Sequence, residues 1–150
     1  RRAFKKLSKM RYLGIDLGSK TVGLAMSDPT NTIASSYKTI FFENEDYEST
    51  IKEIKDIVEE YNIKKIVLGL PKNMNNTLGE RAIITTKYKK LLEDNLNIEV
   101  DFYDERLTSV ISNSLLIEAD MSRKKRKKKV DKIAAQIILQ DYLNKEKNKL

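Results

Sequence analysis

Apolar and polar positions along the chain follow two different periods, and the changes of period mark the predicted elements. Short apolar stretches between turn residues predict strands at 12–15, 22–26, 33–42, 65–70 and 98–103. Apolar residues at helical spacing predict helices at 46–61, 78–96, 106–119 and 130–143. This order predicts an α/β fold: a mixed five-stranded sheet, with three antiparallel strands followed by alternating helices and strands, flanked by helices.

The same spacing predicts which helical side chains pack against the sheet. In the first two helices they are Ile51, Ile54, Ile57, Val58, Tyr61, Ala82, Ile83, Leu91 and Leu92. In the last helix, Ala134, Ala135 and Ile138 follow Asp131, which we expect to begin that helix. The small alanines predict a close approach of this helix to the first strand.

An aspartate lies inside a glycine frame at the first predicted hairpin, Gly14-Ile15-Asp16-Leu17-Gly18-Ser19-Lys20. We expect Asp16 to be buried in the middle of the sheet, where an ionised carboxylate needs a metal ion or a fixed basic partner. Gly14 and Gly18 share its strand parity, so their missing side chains would let a phosphate or a metal ion approach the backbone. The alternative is a hairpin whose aspartate only accepts hydrogen bonds from turn amides.

Two further carboxylate clusters fall where such a fold would bring them to Asp16. Asp104 and Glu105 follow the fifth strand, at the carboxyl edge where open α/β sheets bind ligands. Asp131 lies on the last helix. Helix capping is the alternative role for Asp104, and a favourable interaction with the helix dipole is the alternative for Asp131.

Composition restricts the chemistry that these acids can perform. The 150 residues include no cysteine and no histidine, which excludes disulfides, the usual zinc sites and catalysis by histidine. Carboxylates from three elements suit Mg²⁺ or Mn²⁺, which prefer oxygen ligands. Two such ions about 4 Å apart can activate water and stabilise the leaving oxygen of a phosphodiester.

The charge indicates a polyanionic partner. The net charge is +7, from 29 Lys and Arg against 22 Asp and Glu. Much of the excess forms an unbroken basic run, consisting of Arg123, Lys124, Lys125, Arg126, Lys127, Lys128 and Lys129, which we expect to separate the last two helices. The alternative is a solvated lysine-rich loop. No apolar stretch approaches the roughly 18 residues of a membrane span and no signal-peptide core follows the basic start, so we expect a cytoplasmic protein without membrane partners.

Four motifs in order resemble the YqgF family of the ribonuclease-H-like superfamily, whose members are also described as pre-16S rRNA nucleases or Holliday junction resolvases. The resemblance runs from about Arg11 to Leu143. Besides the glycine frame, its motifs are Gly69-Leu70-Pro71-Lys72-Asn73-Met74, Asp104-Glu105-Arg106-Leu107-Thr108-Ser109 and Val130-Asp131-Lys132-Ile133-Ala134-Ala135-Gln136. It implies a basic N-terminal extension at 1–10 and a single ribonuclease-H-like nuclease domain at 11–150.

The resemblance also implies the site residues. The catalytic acids would be Asp16, Glu105 and Asp131, with Asp104 as an additional metal ligand. Nucleic acid would be bound by the basic run together with Lys20, Lys72, Asn73, Arg81, Arg106 and Thr108, of which Lys72, Asn73 and Arg81 are expected on one loop. The chain departs from many members at Thr21, where they have arginine, and at Asn75-Asn76, where they have Asp-Gly. These departures imply that the affinity for substrate or the shape of the loop can differ.

The implied function is a two-metal-ion endonuclease that hydrolyses structured RNA and processes the 5′ end of precursor 16S rRNA in ribosome biogenesis. Ribosomal particles are further expected partners, and the expected state is a monomer or weak homodimer. Three alternatives stay open: a Holliday junction resolvase acting on four-way DNA junctions, which normally needs two sites about a dyad; a non-catalytic rRNA-binding module, which would bind in EDTA; and an ATPase, for which the chain lacks a second lobe.

Overall fold

The computed structural model of the chain describes residues 10–71, 79–104 and 123–148, and within the last range the side chains of 133–147. Eight elements lie in these ranges. They are β1 Arg11–Leu17, β2 Thr21–Ser27, β3 Ala34–Phe41, α1 Tyr47–Tyr61, β4 Ile63–Leu70, α2 Glu80–Leu96, β5 Glu99–Asp104 and α3 Arg123–Asn148. The helix predicted at 106–119 lies outside the described residues.

The five strands form one mixed sheet in the order β3-β2-β1-β4-β5, which confirms the predicted architecture. β1 pairs antiparallel with β2 and β2 pairs antiparallel with β3, whereas β4 runs parallel to both β1 and β5. The carboxyl ends of β1, β4 and β5 therefore meet at one edge, here called the carboxyl edge. Central β1 ends there, so Asp16 lies close to this edge.

Helices cover both faces of the sheet. Leu13 and Ile15 of β1 belong to a core that includes Ile54 of α1 and Leu92 of α2, which together cover the first face. Tyr12 belongs to a second core with residues of α3, which covers the other face, here called the α3 face. Successive strand residues point to opposite faces, so Gly14 and Asp16 share the α3 face with Tyr12.

α3 lies unusually close to β1. A Cβ added at Gly14 would stand 2.8 Å from Leu139 Cβ and 2.9 Å from the Ala135 carbonyl oxygen. Ala135 is fully buried against the sheet, so the predicted close approach of this helix is confirmed. The expectation that Gly14 leaves space for a phosphate or a metal ion is wrong, because α3 occupies that space. At Gly18 an added Cβ would meet Thr21 Oγ1 at 2.9 Å, within the hairpin turn itself.

The start of α3 also differs from the prediction. The helix begins at Arg123, so the basic run is helical and does not form a loop between helices. Lysine and arginine are good helix formers, and their propensity outweighs the repulsion of neighbouring like charges here. Asp131 consequently lies more than two turns inside α3. A role for Asp131 in the first turn of the helix is therefore excluded.

Most of the predicted helical core is confirmed. Ile51, Ile54 and Ile57 of α1 and Ala82 and Leu92 of α2 are buried, while Val58, Tyr61 and Leu91 are partly buried against them. The prediction for Ile83 is wrong, since its side chain is 50% exposed. Ile83 follows Ala82 directly, about 100° further around the helix, and only one of the two can face the sheet.

Candidate active site

Asp16 occupies the penultimate position of the central strand, on the α3 face. Its partner across the sheet in β2 is Gly23. In β4, Leu68 pairs with Ile15, and the parallel register continues to Gly69 beside Asp16. Neither neighbour contributes a side chain next to the carboxylate. Asp16 is half-buried and not buried as predicted, because it lies close to the end of its strand.

A buried hydroxyl lies in the same row of residues across the sheet. Thr39 of β3 pairs with Gly23, which separates it from Asp16. Thr39 Oγ1 is buried and has no hydrogen-bond partner in the described part of the chain. Buried hydroxyls are normally satisfied by protein groups or by ordered water. The row Thr39-Gly23-Asp16 therefore combines a half-buried carboxylate, an unsatisfied hydroxyl and a position without a side chain.

Asp104 ends β5, opposite Leu70 of β4. Strand alternation places Asp104 with Phe102 and Val100, whose side chains belong to the core under α1 and α2. Asp104 and Asp16 therefore lie on opposite faces of the sheet. Glu105, the other acid predicted at this edge, lies outside the described residues.

The backbone of α3 runs antiparallel to β1. Near its C-terminal end the ring of Tyr142 lies 6.0 Å from that of Tyr12, while Ala135 and Leu139 contact Gly14. Earlier residues of the helix therefore extend in the direction of Asp16. Asp131 is one helical turn before Ala135, and its side chain lies outside the described part of α3. Among the side chains that are described, no three acidic residues form a metal-binding group.

Two polar networks hold the C-terminal half of α3 on the sheet. In the first, Lys65 Nζ donates to Tyr142 Oη at 2.8 Å, and Tyr142 Oη donates to Asp101 at 2.5 Å. Desolvation alone would lower the pKa of Lys65, but its hydrogen bonds to Tyr142 and Glu99 raise that pKa well above the ordinary value. Lys65 therefore remains charged and keeps its partners at neutral pH.

The second network involves a tyrosine from the α3 face of β5. Tyr103 Oη donates to Asp141 at 2.7 Å and accepts from Lys145 at 3.2 Å. Burial and the Asp141 carboxylate both raise the pKa of Tyr103. Its hydroxyl is thus bound to α3 and unsuited to proton abstraction at neutral pH.

Two glutamines hold the other side of α3. Gln140 Oε1 accepts from the Ala34 N–H at 2.8 Å, and Gln136 Nε2 donates to the Ala34 carbonyl at 3.1 Å. Together they satisfy both backbone groups of the first residue of β3. With the two tyrosine networks, these bonds restrict how α3 can slide or rotate on the sheet.

One predicted binding residue contacts the end of β1 directly. Arg81 Nη2 donates to the Leu17 carbonyl oxygen at 3.0 Å, which brings the guanidinium to the residue after Asp16. Arg81 lies in the first turn of α2 and not on the preceding loop as predicted. Lys20 is exposed in the turn after β1.

The remaining predicted binding groups are described only in part. Lys72, Asn73, Arg106 and Thr108 lie outside the described residues. The backbone of the basic run belongs to α3, and its side chains are not among those described.

A further aspartate, Asp28, has a structural role. It lies after β2, at the edge opposite the carboxyl edge, and its carboxylate accepts from the N–H groups of Thr32 and Ile33 at 2.7 and 2.8 Å. Desolvation opposes ionisation, but the hydrogen bonds from Ile33 and the two threonines, Thr30 and Thr32, hold the pKa of Asp28 well below its ordinary value. Asp28 is therefore an ionised turn residue far from Asp16.

Gly23 and Thr39 were not among the predicted site residues. The hairpin could have identified Gly23, because Gly18 pairs with Thr21 around Ser19 and Lys20, and continuing this register places Gly23 opposite Asp16. Thr39 required the register between β2 and β3, which shifts at Leu24 and Ala25.

Solved structures define the class of fold. The chain is similar to Thermus thermophilus RuvC in complex with a Holliday junction substrate, with a TM-score of 0.59, 11% identity, and coverage of 93% of this chain and 96% of that chain. It is also similar to the fowlpox virus Holliday junction resolvase, with a TM-score of 0.54, 18% identity, and coverage of 91% and 99%. The fold is that of the ribonuclease-H-like resolvases, as predicted.

Sequence comparison identifies the family. The model of the RuvX family, described as Holliday junction resolvase, matches residues 10–145, so the chain belongs to this nuclease family. A relative from Clostridium beijerinckii is 51% identical over 135 residues, covering 90% of this chain and 96% of the relative. One from Oceanobacillus iheyensis is 46% identical over 137 residues, covering 91% and 100%.

Both relatives carry the name "Putative pre-16S rRNA nuclease". The resemblance to the YqgF family is therefore confirmed. Separately, none of the described helices contains an apolar stretch long enough to span a membrane.

Proposed function

We propose that this chain is a metal-dependent endonuclease that hydrolyses phosphodiesters of structured RNA and processes the 5′ end of precursor 16S rRNA in the cytoplasm. The observation that carries the chemistry is the half-buried Asp16 near the carboxyl edge, between two glycines of neighbouring strands. The RNA substrate is supported by the shared name of relatives that are 46–51% identical over nearly their whole length.

The residues present suit a hard divalent cation. The chain has no histidine or cysteine, so oxygen atoms are its natural metal ligands, and these favour Mg²⁺ or Mn²⁺. The unsatisfied Thr39 hydroxyl in the row of Asp16 further supports a site that takes up water or a ligand. Asp16, Glu105 and Asp131 would hold the metal, and Asp104, which lies on the opposite face of the sheet, would not. When bound, such ions supply an activated water and stabilise the leaving oxygen.

The placement of Asp104 favours Glu105 as the main partner of Asp16. Asp104 lies on the face of α1 and α2, whereas Asp16 lies on the α3 face. A residue one position later in an extended strand would return to the α3 face. We therefore propose Asp16, Glu105 and Asp131 as the catalytic acids.

The supports around Asp16 would position these acids. Gly14 permits α3 to approach β1, and the antiparallel course of α3 directs Asp131 towards the Asp16 end of the strand. The networks at Tyr142 and Tyr103 hold the helix in this register. Arg81 fixes the last carbonyl of β1. Small displacements of catalytic groups are costly, so these contacts would keep the acids in a reactive arrangement.

The basic groups would bind the RNA backbone. The basic run gives the N-terminal part of α3 seven consecutive cationic positions, which suit a polyanionic partner. Each phosphate that they neutralise releases counterions, which makes affinity fall as salt rises. Lys20, Lys72, Asn73, Arg106 and Thr108 would add contacts closer to the scissile phosphate, whereas Arg81 would act through its bond to the Leu17 carbonyl.

The test uses a labelled precursor 16S 5′ leader and a four-way DNA junction, each with Mg²⁺, Mn²⁺ or EDTA. We expect the leader to be cut only with metal, and Asp16→Asn to reduce the rate by more than about 100-fold, since loss of a direct ligand exceeds the cost of losing an outer partner. Asp56→Asn, on the exposed side of α1, is the matched control and should cut normally. Full activity of Asp16→Asn would refute the proposed mechanism.

A four-way-junction resolvase is the second candidate, favoured by the description of the RuvX family. Cutting of the junction but not of the leader would establish it, and a strictly monomeric protein in light scattering would count against it. Tight, salt-sensitive binding that persists in EDTA without cutting would instead indicate a non-catalytic rRNA-binding module. If the chain were an ATPase, ATP would raise the stability of the folded protein, and absence of this effect would exclude that alternative.

A further inference from the structure

An exposed aromatic side chain lies on the same face of the sheet as Asp16. Phe41 ends β3 and is 59% exposed, although it directly follows Ile40, which is buried in the core under α1 and α2. Because strand residues alternate, Phe41 points to the α3 face. An exposed aromatic ring on the face of the candidate site offers a π-face on which a nucleobase can stack.

The sheet register locates Phe41 relative to Asp16. Phe41 pairs with Thr21, whose carbonyl accepts from the Gly18 N–H at 2.7 Å. Phe41 is therefore two strands away from β1 and about two residues beyond Asp16 towards the carboxyl edge. With strands about 4.8 Å apart and about 3.4 Å per residue, the two Cα atoms are about 12 Å apart. This separation corresponds to about two to four nucleotides along one strand.

A basic side chain lies next to this aromatic position. Lys20 is exposed in the turn between β1 and β2, and its carbonyl accepts from the N–H of Phe42 at 3.0 Å. The Lys20 backbone is thus bonded to the residue directly after Phe41. Proteins that bind single-stranded nucleic acid combine cationic groups along the backbone with aromatic rings that stack on bases. Lys20 provides the cationic group and Phe41 the aromatic ring, at the carboxyl edge of the sheet.

We propose that Phe41 stacks on an unpaired nucleobase of the substrate, about two to four nucleotides from the phosphate positioned at Asp16. The proposal rests on the proposed function for the position of that phosphate. A base inside a continuous duplex has both faces covered by its neighbours, so it cannot offer one to Phe41. The preferred substrate is therefore a strand that is unpaired beside the cut, and the β3 side of the site discriminates it from duplex.

The experiment measures binding in the Asp16→Asn background, so that cleavage is not needed for the readout. The probes are a short single-stranded RNA with one 2-aminopurine, moved through the sequence, and the fully paired duplex of the same sequence. Phe41→Ala should weaken single-strand binding by about 5- to 150-fold, the range for loss of one stacked base, and leave duplex binding unchanged. In the Asp16→Asn protein, 2-aminopurine fluorescence should be quenched at one position of the RNA, and Phe41→Ala should abolish this quenching.

Matched variants separate stacking from simple apolar contact. Phe41→Trp should retain binding and quenching, whereas Phe41→Leu should lose most of both. Ile33→Ala removes a 60% exposed apolar side chain at the opposite edge and should change neither. Equal weakening of single strand and duplex, full retention in Phe41→Leu, or no effect of Phe41→Ala would overturn the inference.

The outcome is independent of the nuclease assay. If wild-type protein cuts neither substrate but single-strand binding depends on Phe41, the stacking inference stands while the proposed function fails. If cutting depends on Asp16 but binding ignores Phe41, the proposed function stands and the inference fails.

Discussion

Gly14→Ala tests how strictly the fold depends on close contact between β1 and α3. The added methyl would lie 2.8 Å from Leu139 Cβ and 2.9 Å from the Ala135 carbonyl oxygen. Carbon atoms in ordinary contact are about 3.5–4.0 Å apart, so β1 and α3 must separate by several tenths of an ångström. The Ala135 oxygen belongs to the helix backbone, and a change of side-chain rotamer cannot relieve that contact.

Two effects of opposite sign determine the expected change in the free energy of unfolding. Replacing a glycine by alanine without steric conflict stabilises the folded protein by about 0.4–1 kcal/mol, because alanine reduces the conformational entropy of the unfolded chain. Overpacking a core costs about 1–3 kcal/mol. We therefore expect a net loss of about 1–2 kcal/mol and a Tm lower by about 2–8 °C for a chain of this length.

The assay combines thermal unfolding with cleavage of the precursor leader. Because Gly14→Ala displaces the helix that carries Asp131, cleavage well below Tm should fall by up to about 100-fold. Ser19→Ala, in the exposed turn of the same hairpin, is the control and should leave both quantities near the wild-type values. A higher Tm for Gly14→Ala would refute the close contact, since only the effect on the unfolded chain would remain.

Two further substitutions test the contact of Arg81 with β1 and the structural role of Asp28. Arg81→Lys keeps the charge but loses the directed bond to Leu17, so we expect cleavage to fall about tenfold with RNA affinity nearly unchanged; a parallel fall in affinity and rate, measured by titration and single-turnover kinetics, would indicate direct phosphate binding instead. Asp28→Asn should lower Tm at pH 7. The pKa of Asp28 is depressed below 3.8 in the folded state, so its carboxylate stabilises above that pH and the contribution is lost as pH falls. The Tm difference from wild type should shrink on acidification to pH 3, and a difference independent of pH would contradict this role.

The candidate site shows which features of the chain were predictable. The hairpin around Asp16 was predicted because the apolar pattern and the turn at 18–20 are local. The half-burial of Asp16 was not predicted, because it depends on how close to the end of β1 this residue lies in the folded sheet. The prediction that Gly14 leaves space for a phosphate or a metal ion was wrong for a related reason. A glycine predicts that another group approaches the backbone closely, but the sequence around it does not reveal whether that group is a ligand or a helix.

The basic run illustrates a second kind of error. Its composition correctly indicated seven adjacent charges, and the family resemblance correctly assigned them to a nuclease. Their conformation was misjudged, because the run was expected to separate the last two helices, whereas the helix propensity of lysine and arginine extends α3 back to Arg123. This extension moves Asp131 from a helix start to a helix interior.

The sequence by itself determined the order and type of the elements, the restriction to oxygen-based chemistry and the family. These properties follow from local periodicity, composition and the spacing of motifs. Only the tertiary structure decided that Asp104 and Asp16 lie on opposite faces, that Thr39 and Phe41 share the face of Asp16, and that α3 rests on Gly14. Each of these depends on the register between elements distant in the chain, which is set by packing across the sheet and is not encoded in any one segment.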